Sequence, residues 1–350
     1  MHNRIFLLIV INVFSVIYLS NLEAFSKTHK NKTISERMLI VITAPPSDEI
    51  YYQDVYDKII KYDITFAKNV RGKDNIIVLG DKKALSILEK ELPKNILLEA
   101  DMRDIWMRDF STVNPYQPVQ FRYSAATQGG KQSDADWVQE GFNKFAKRLG
   151  LKYSGTELIL DGGNLVDNYK DKVIVTDRFL EDNKLSNEKA VQTLKKLLGA
   201  TQVAVIPSDD SEGLAHADGM AMFIDTDTIV LNKYEEPFRN NVITEIKKAF
   251  PGIKIIEIET KFDDSVWDGR FSSACGIYTN AIVTEHYIYL PQFGNELDKK
   301  AIITIQDNTT KEVVPIDAGK VCFMGGSVRC LGWQVTGENA SKLLDAARAK

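Results

Sequence analysis

The chain has 350 residues, of which 44% are hydrophobic and 26% are charged, and this is the composition of an ordinary globular protein. The formal net charge of −4 and the lack of a basic run in the body of the sequence argue against a general nucleic-acid-binding protein. A chain of this length can hold two domains, although closed α/β repeats often reach the same size as one domain.

The first 26 residues have the pattern of a secretory signal peptide. A histidine and an arginine precede an apolar run from Ile5 to Leu19, which is short for a membrane span. We expect cleavage after Ala24 or Ser26, and the mature protein would then be secreted or periplasmic. An uncleaved segment would instead anchor the protein in the membrane. The mature chain contains no apolar segment long enough to cross a bilayer.

After a polar linker at residues 27–37, the hydrophobic pattern alternates between strands and helices. Asp81 has the side chain and the position of a helix N-cap. Over the first hundred residues, the pattern predicts strands at 38–43, 75–79 and 95–99 and helices at 51–69 and 81–92.

From there one unit is repeated, and it consists of a polar cluster, a β-hairpin, a helix and a buried strand. The clusters are W-M-R-D at 106–109, D-G-G-N at 161–164, H-A-D at 216–218, Y-T-N at 278–280 and G-G-S-V-R-C at 325–330. The helices of the four complete units are predicted at 135–149, 186–198, 240–250 and 296–305.

The spacing of these clusters predicts a repeat fold. The steps between Asp109, Asn164, Asp218, Asn280 and Cys330 are 55, 54, 62 and 50 residues. The fifth unit is incomplete, and we expect the N-terminal strand and helix to complete it and close a ring. Equivalent points of a closed repeat face one axis, so the clusters would share one pocket. An open α/β sheet with coincidental spacing is the alternative.

The three cysteines include one candidate nucleophile. An odd number in an exported chain leaves at least one thiol free or paired with another molecule, and whether Cys275 and Cys322 pair is open. Cys330 follows Gly325-Gly326, and such glycines allow a close approach of the backbone to a ligand. Placement after this turn, with a separate His-x-Asp elsewhere, favours a nucleophile over a buried structural cysteine.

His216 is the candidate acid and base. An extended His216-Ala217-Asp218 segment would place the imidazole and the carboxylate on the same side. A satisfied core histidine is the alternative, and a metal ligand is less favoured because no second histidine stands at ligand spacing.

Asp109 and Asp218 together suggest a cationic substrate. Two carboxylates can hold a guanidinium by charge-assisted hydrogen bonds, and Trp106 can stack on a planar cation. A solvated turn is the alternative for the cluster around Trp106. Carboxylates beside a thiol raise the pKa of Cys330, and an arriving guanidinium would lower it again.

In this order the clusters resemble the guanidine-modifying (pentein) superfamily, in particular agmatine deiminases and bacterial-type peptidylarginine deiminases. The resemblance covers roughly residues 38–336, which we take as the deiminase domain, followed by a tail at 337–350 that we expect to be helical. It implies a five-bladed α/β propeller without metal or organic cofactor. It also implies that Cys330 attacks the guanidinium carbon, that His216 is the acid and base, and that Asp109 and Asp218 clamp the nitrogens. Pocket-lining roles are implied for Trp106, Gly163 and Asn280.

Two departures affect the expected substrate. Agmatine deiminases usually carry histidine before the nucleophile, where this chain has Arg329, and they are commonly cytoplasmic. Both favour a substrate that carries a carboxylate or a peptide group, and Arg122 is a candidate for pairing with that carboxylate. A solvated arginine is the alternative for Arg122.

The sequence therefore predicts a secreted hydrolase that converts the guanidino group of peptidyl-arginine or arginine to a ureido group and ammonia. Agmatine is the alternative substrate. A cysteine protease using Cys330 and His216, an amidinotransferase and a non-catalytic arginine-binding module are more distant alternatives.

Overall fold

The computed structural model describes residues 37–209 and 213–349. The predicted signal peptide and nearly all of the predicted linker lie outside these residues. From Met38 onward the chain forms one compact unit. Within the described ranges, every helix is too short or too polar to cross a bilayer.

The strands form five separate sheets and one additional two-stranded hairpin. The first sheet has the order β17-β1-β2-β3, with β1 at Leu39–Thr43, β2 at Asn75–Gly80, β3 at Leu97–Glu99 and β17 at Trp333–Val335. The next two are formed by β4 (Val119–Arg122) and β5 (Ser154–Ile159), and by β6 (Val166–Asp167), β7 (Lys172–Thr176) and β8 (Gln202–Ile206). The last two contain β9 (Ala221–Asp225), β10 (Thr228–Asn232) and β11 (Lys254–Ile258), and β14 (Ile282–Val283), β15 (Tyr287–Gln292) and β16 (Glu312–Asp317). The hairpin pairs β12 (Val266–Trp267) with β13 (Phe271–Ser272).

Helices connect and cover the sheets. The longer ones are α1 (Tyr56–Val70), α2 (Lys82–Leu88), α4 (Gln132–Leu149), α6 (Asn187–Leu198), α7 (Phe238–Ala249), α8 (Asp298–Gln306) and α10 (Gly337–Arg348). The shorter ones are α3 (Met107–Phe110), α5 (Arg178–Asn183) and α9 (Val328–Leu331).

Four of the sheets share one topology, in which an antiparallel hairpin is followed by a parallel strand. The strand pairs β6-β7, β9-β10 and β14-β15 are antiparallel, and β8, β11 and β16 then add in parallel. In the first sheet, β17 pairs antiparallel with β1, and β2 adds in parallel. The N-terminal strand thus completes the last unit, as the sequence predicts. The architecture is a mixed α/β fold, and no sheet of the described strands closes on itself, so strand pairing alone does not establish a five-bladed ring.

The first sheet is covered on both faces because its central strands are apolar on both faces. All residues of β1 and β2 are buried, which is typical of a sheet packed between two layers. Ile59 and Phe66 of α1 pack on one face, whereas Phe142 of α4 and Leu343 of α10 pack on the other. The predicted N-cap is present, since the Asp81 carboxylate accepts a hydrogen bond from the backbone N–H of Ala84 at 2.8 Å.

The polar clusters differ locally from the prediction. We expected each to open a β-hairpin, and those at 161–164, 216–218 and 278–280 do precede the antiparallel pairs β6-β7, β9-β10 and β14-β15. Four of the clusters form short helical turns that were not predicted, at 107–110, 162–164, 217–219 and 328–331. His216 has an extended backbone, but Ala217–Gly219 is a 3₁₀ turn. The alternation of side chains along a strand therefore does not determine whether the imidazole and the Asp218 carboxylate lie on the same side. The turns are stabilised by buried side chains that bond to the backbone, which local sequence patterns do not reveal.

Candidate active site

Four of the predicted site residues line one cavity of about 210 Å³. Trp106, Asp109, His216 and Cys330 all contribute to its lining. They belong to three different repeat units, so the fold brings together residues that are more than a hundred positions apart in the chain.

Cys330 is a free, buried cysteine on the short helix α9. Its Sγ lies 3.1 Å from Asn280 Nδ2 and 3.9 Å from Asp218 Oδ2. Burial and the carboxylates of Asp218 and Asp109 raise the pKa of the thiol well above its ordinary value. The thiol therefore needs a cation nearby to become a thiolate at neutral pH, as the sequence analysis expected.

Asn280 positions the nucleophile. Its Oδ1 accepts backbone N–H bonds from Ser327 at 3.3 Å, Arg329 at 3.1 Å and Cys330 at 3.3 Å. These bonds satisfy the first N–H groups of α9, which have no partner inside the helix. Asn280 thus holds both the thiol and the turn that presents it.

Asp161 orients His216. The imidazole Nε2 lies 3.1 Å from Asp161 Oδ2, while its Nδ1 lies 3.8 Å from Asp109 Oδ1. Burial lowers the pKa of His216, but the charges of Asp109 and Asp161 outweigh it and raise this pKa to about 9. The imidazole is therefore an imidazolium at neutral pH. The sequence analysis gave Asp161 no role of its own, and only its place in the D-G-G-N cluster with Gly163 pointed to the site.

Gly163 lies against the same two side chains. Its backbone N–H donates to Asp109 Oδ1 at 2.8 Å. A Cβ on Gly163 would lie 2.5 Å from His216 Nδ1 and 2.8 Å from Asp109 Oδ1. Glycine is required here because the backbone approaches the carboxylate and the imidazole too closely for any side chain.

Burial also raises the pKa of the Asp109 carboxyl. The nearby carboxylates of Asp161 and Asp218 raise this pKa further, while His216 lowers it.

Asp218 is 1% exposed and pairs with Arg329, whose Nη1 lies 2.8 Å from Asp218 Oδ2. Asp218 is absent from the cavity lining, so it reaches the site from behind Cys330.

Trp106 forms a wall of the cavity next to the nucleophile turn. A Cβ on Gly326 would lie 2.5 Å from the Trp106 ring and 2.9 Å from Cys330 Cβ. Gly326 therefore allows the indole to pack directly against the helix that carries the thiol.

Arg122 is not brought to this cavity. Its guanidinium pairs with Asp136 of α4 at 2.8 and 3.1 Å, and it does not contribute to the lining. The structure therefore does not support the predicted pairing of Arg122 with a substrate carboxylate, because Asp136 already satisfies it.

Two other arginines line the cavity and were not predicted. Arg103 lies over the Trp137 ring at 4.5 Å and pairs with Glu140, and Arg270 lies over the Tyr51 ring at 5.3 Å and pairs with Asp268. The ionisable groups of the lining, apart from the thiol and the phenols, are Glu49, Asp104, Asp109, Asp134, Arg103, Arg270 and His216.

The lining therefore carries four carboxyl groups together with the imidazolium of His216 and two arginines that are already paired with carboxylates outside the lining, and its unpaired carboxyl groups suit a cationic ligand. Across the described ranges, no group of three or more His, Cys, Asp or Glu side chains is arranged to hold a metal ion. A thiol, an imidazolium and carboxylates in one enclosed site can perform nucleophilic attack on a cationic carbon centre, with proton transfer to a leaving group.

Comparisons with known proteins agree with this chemistry. The model of the Porphyromonas-type peptidyl-arginine deiminase family matches residues 34–335. A protein of Lactococcus lactis subsp. lactis, named as a candidate agmatine deiminase, is 23% identical over 213 residues. That match covers 52% of this chain and 58% of the relative, so this chain spans little more than half the length of the relative.

Solved structures share the fold. C. jejuni agmatine deiminase is similar with a TM-score of 0.72 and 17% identity over 87% of this chain and 94% of the other, and it has also been solved with substrate bound. Agmatine deiminase of Enterococcus faecalis is similar with a TM-score of 0.70 and 18% identity over 86% and 94% of the two chains. The family model covers most of the sequence, and the chain therefore belongs to the Porphyromonas-type peptidyl-arginine deiminase family.

Proposed function

We propose that the protein is a deiminase that hydrolyses the guanidino group of agmatine to a ureido group and ammonia. The observation that carries this proposal is the cavity in which Cys330, the imidazolium of His216 and Asp109 meet, with Asp218 behind the thiol. A guanidinium held by the two aspartates would offset the charge that raises the pKa of the thiol.

The reaction proceeds in two halves. Binding of the guanidinium lets the Cys330 thiol lose its proton to solvent, and the thiolate attacks the guanidinium carbon to form a C–S bond. A C–N bond then breaks, and ammonia leaves with a proton from His216 and takes up a further proton from solvent as ammonium. Water then attacks the carbon of the amidino-thioether while the neutral His216 accepts its proton. The C–S bond breaks, the carbon keeps the water oxygen, and the thiol is regenerated with the ureido product.

The structure changes our preference among the predicted substrates. Peptidyl-arginine or arginine was favoured because Arg329 replaces the usual histidine and the chain has the pattern of an exported protein, with Arg122 as the candidate partner of the substrate carboxylate. Asp136 already pairs with Arg122, and Asp218 pairs with Arg329. The cavity lining has four carboxyl groups, and its two arginines already pair with Glu140 and Asp268, which suits the second cationic group of agmatine better than the carboxylate of arginine. Three of the similar solved structures, one of them with substrate bound, are agmatine deiminases, and another of comparable similarity is described as a candidate peptidyl-arginine deiminase.

Peptidyl-arginine is the second candidate substrate. The matching family is described as peptidyl-arginine deiminases. In addition, Trp137 on the cavity wall is 50% exposed, so a larger substrate could contact its ring.

The proposal is tested by measuring the release of ammonia from three substrates: agmatine, free arginine and an arginine peptide with blocked ends. We expect kcat/KM for agmatine to exceed that for the other two by at least about tenfold, a difference of about 1.4 kcal/mol. Cys330→Ala should release no ammonia from any of them. Faster turnover of the peptide would select the second candidate, and no ammonia from any substrate would contradict the deiminase function.

We also propose that the protein is exported and that its five sheets are arranged as five blades around the site. The apolar segment at 5–19 and the disulfide between Cys275 and Cys322 support export, because disulfides persist mainly in oxidising compartments. The pairing of β17 with β1 supports a ring, since it joins the last repeat to the first strand. Cell fractionation with the intact mass of the native protein tests export, and an experimental structure tests the ring.

A further inference from the structure

Asp104 is a buried carboxylate of the cavity lining that the two halves of the reaction do not use. It is 6% exposed, and two of its hydrogen-bond partners, Tyr52 and Gln128, line the cavity with it. Its Oδ1 accepts a hydrogen bond from the Tyr52 hydroxyl at 2.5 Å and another from the backbone N–H of Ile105 at 2.7 Å. Its Oδ2 accepts one from the Gln128 side-chain amide at 2.8 Å. Since a carboxylate oxygen can accept two hydrogen bonds, Oδ2 retains room for a further donor.

The partners of Asp104 are all neutral donors. Its carboxyl group therefore acts only as an acceptor, which is the role of the ionised form. Burial raises the pKa of Asp104, and these donors oppose that rise. Among the described residues Asp104 has no ion-pair partner, and the two arginines of the lining pair with Glu140 and Asp268. A buried carboxylate without a cation is unfavourable, so a cation that enters the cavity is stabilised here.

One short segment of the chain brings two carboxylates to the lining of this cavity. Asp109 lies beside His216, and Asp104 precedes it on the same segment. Trp106 lies between them in the sequence, and its ring packs against the turn that carries Cys330. A substrate whose guanidinium is held at the thiol and Asp109 therefore meets Asp104 as a second, separate carboxylate of the cavity.

We propose that Asp104 is a specificity-determining residue that binds the ammonium group of agmatine while the guanidinium is held at Cys330. The inference rests on the proposed deiminase function. Agmatine carries two cationic groups joined by an aliphatic chain, and each of them would then meet its own carboxylate. Free arginine carries a carboxylate at the same end of its chain, and Asp104 would repel it.

The test compares agmatine with butylguanidine, which has the same guanidinium and aliphatic chain but lacks the ammonium group. For wild type, we expect kcat/KM for agmatine to exceed that for butylguanidine at least about thirtyfold, as for a buried charge pair. Asp104→Asn should reduce this ratio below about threefold and leave kcat/KM for butylguanidine within about threefold of wild type. Asparagine keeps the size of the side chain and an acceptor for the Tyr52 hydroxyl, so the cavity wall is preserved.

Two further variants separate recognition of the ammonium group from a general effect on the site. Asp298→Asn is the matched control. Asp298 also accepts bonds from a tyrosine hydroxyl, that of Tyr278 at 2.8 Å, and from a backbone N–H, that of Gly294 at 2.7 Å, but it lies outside the lining. Its ratio should equal that of wild type. Asp104→Glu keeps the charge on a longer side chain, so the preference should shift at least about threefold towards 3-aminopropylguanidine, the homologue of agmatine with a shorter chain.

The outcomes distinguish this inference from the proposed function. A wild-type ratio in Asp104→Asn, or a wild type that turns over both substrates equally well, overturns the role of Asp104 while the deiminase function stands. Equal losses of kcat/KM for both substrates in Asp104→Asn also overturn it, because Asp104 would then support the wall and not the ammonium group. No ammonia from either substrate with wild type contradicts the proposed function, and the inference with it. If Asp104→Asn does not fold, an unchanged chain-length preference in Asp104→Glu overturns the inference.

Discussion

At the scale of residues, the site depends on a charge balance around His216. Its imidazolium is stabilised by two carboxylates, of which Asp161 makes the hydrogen bond and Asp109 faces the cavity. The same Asp161 accepts bonds from the backbone N–H and the hydroxyl of Ser124, at 2.8 and 2.6 Å, so it is fixed independently of the histidine. A fixed carboxylate behind an imidazole determines both its orientation and its pKa.

Asp161→Asn should therefore change the pH profile of the reaction. The pKa of His216, raised to about 9 by its carboxylates, should fall when one charge is removed. Because the imidazolium is the proton donor, the alkaline limb of kcat should move to lower pH by about one pH unit. Asp136→Asn, which removes a surface carboxylate paired with Arg122, is the control and should leave the limb in place. An unchanged limb in Asp161→Asn would contradict the assignment.

Gly163→Ala should reduce kcat by about a hundredfold, since a displacement of about 1 Å in a reacting group has an effect of this size. The new methyl group would displace His216 or Asp109, which lie 2.5 and 2.8 Å from its position. Gly155→Ala, with nothing within 4 Å of the added Cβ, is the matched control. If Gly163→Ala had the kcat and the thermal transition of wild type, the prediction would be wrong, and the backbone would be able to shift at this position.

At the scale of elements, the repeat units were predictable and their irregular parts were not. Short continuous apolar runs placed β1 and β2 within one residue of their observed ends. The pairing of Arg122 with Asp136 could not be predicted, because it depends on how α4 packs beside β4. Cys330, His216, Asp109 and Asp218 could be predicted from the sequence because their clusters recur at a regular interval.

The hairpin of β12 and β13 was missed for a similar reason. Its strands have two residues each, which is too short for any periodicity, and Phe271 on β13 lines the cavity. The neighbouring Cys275 is joined to Cys322, which begins the turn before Gly325. The disulfide thus connects this wall of the cavity to the segment that leads to the nucleophile.

Loss of this disulfide should destabilise the protein. The bond closes a loop with a sequence separation of 47 residues, for which removal costs about 2–4 kcal/mol of unfolding free energy. Cys275→Ala/Cys322→Ala should therefore unfold at lower urea concentration than wild type. A reductant should lower the wild-type midpoint and leave that of the double variant unchanged. Equal midpoints for wild type with and without reductant would contradict a structural role of this bond.

At the scale of the whole molecule, the two ends of the described chain stabilise each other. β17 pairs with β1, and α10 follows directly and packs on the same sheet. Trp333 is buried there against Phe142 of α4, with ring centroids 5.1 Å apart. The C-terminal helix is therefore part of the same core that holds α3, which carries Asp109.

Leu343→Ala should show that α10 is integral to the fold. Leu343 is fully buried in the core cluster that also contains Leu39 and Phe110, so truncation should cost about 3 kcal/mol of unfolding free energy. Asp345→Ala, on the exposed side of the same helix, should change stability by less than about 0.5 kcal/mol. Chemical unfolding followed at tryptophan fluorescence would measure both. If Leu343→Ala and Asp345→Ala had the same unfolding free energy, α10 would not contribute to the core. The pairing of β1 with β17 would then have to be stable without this helix.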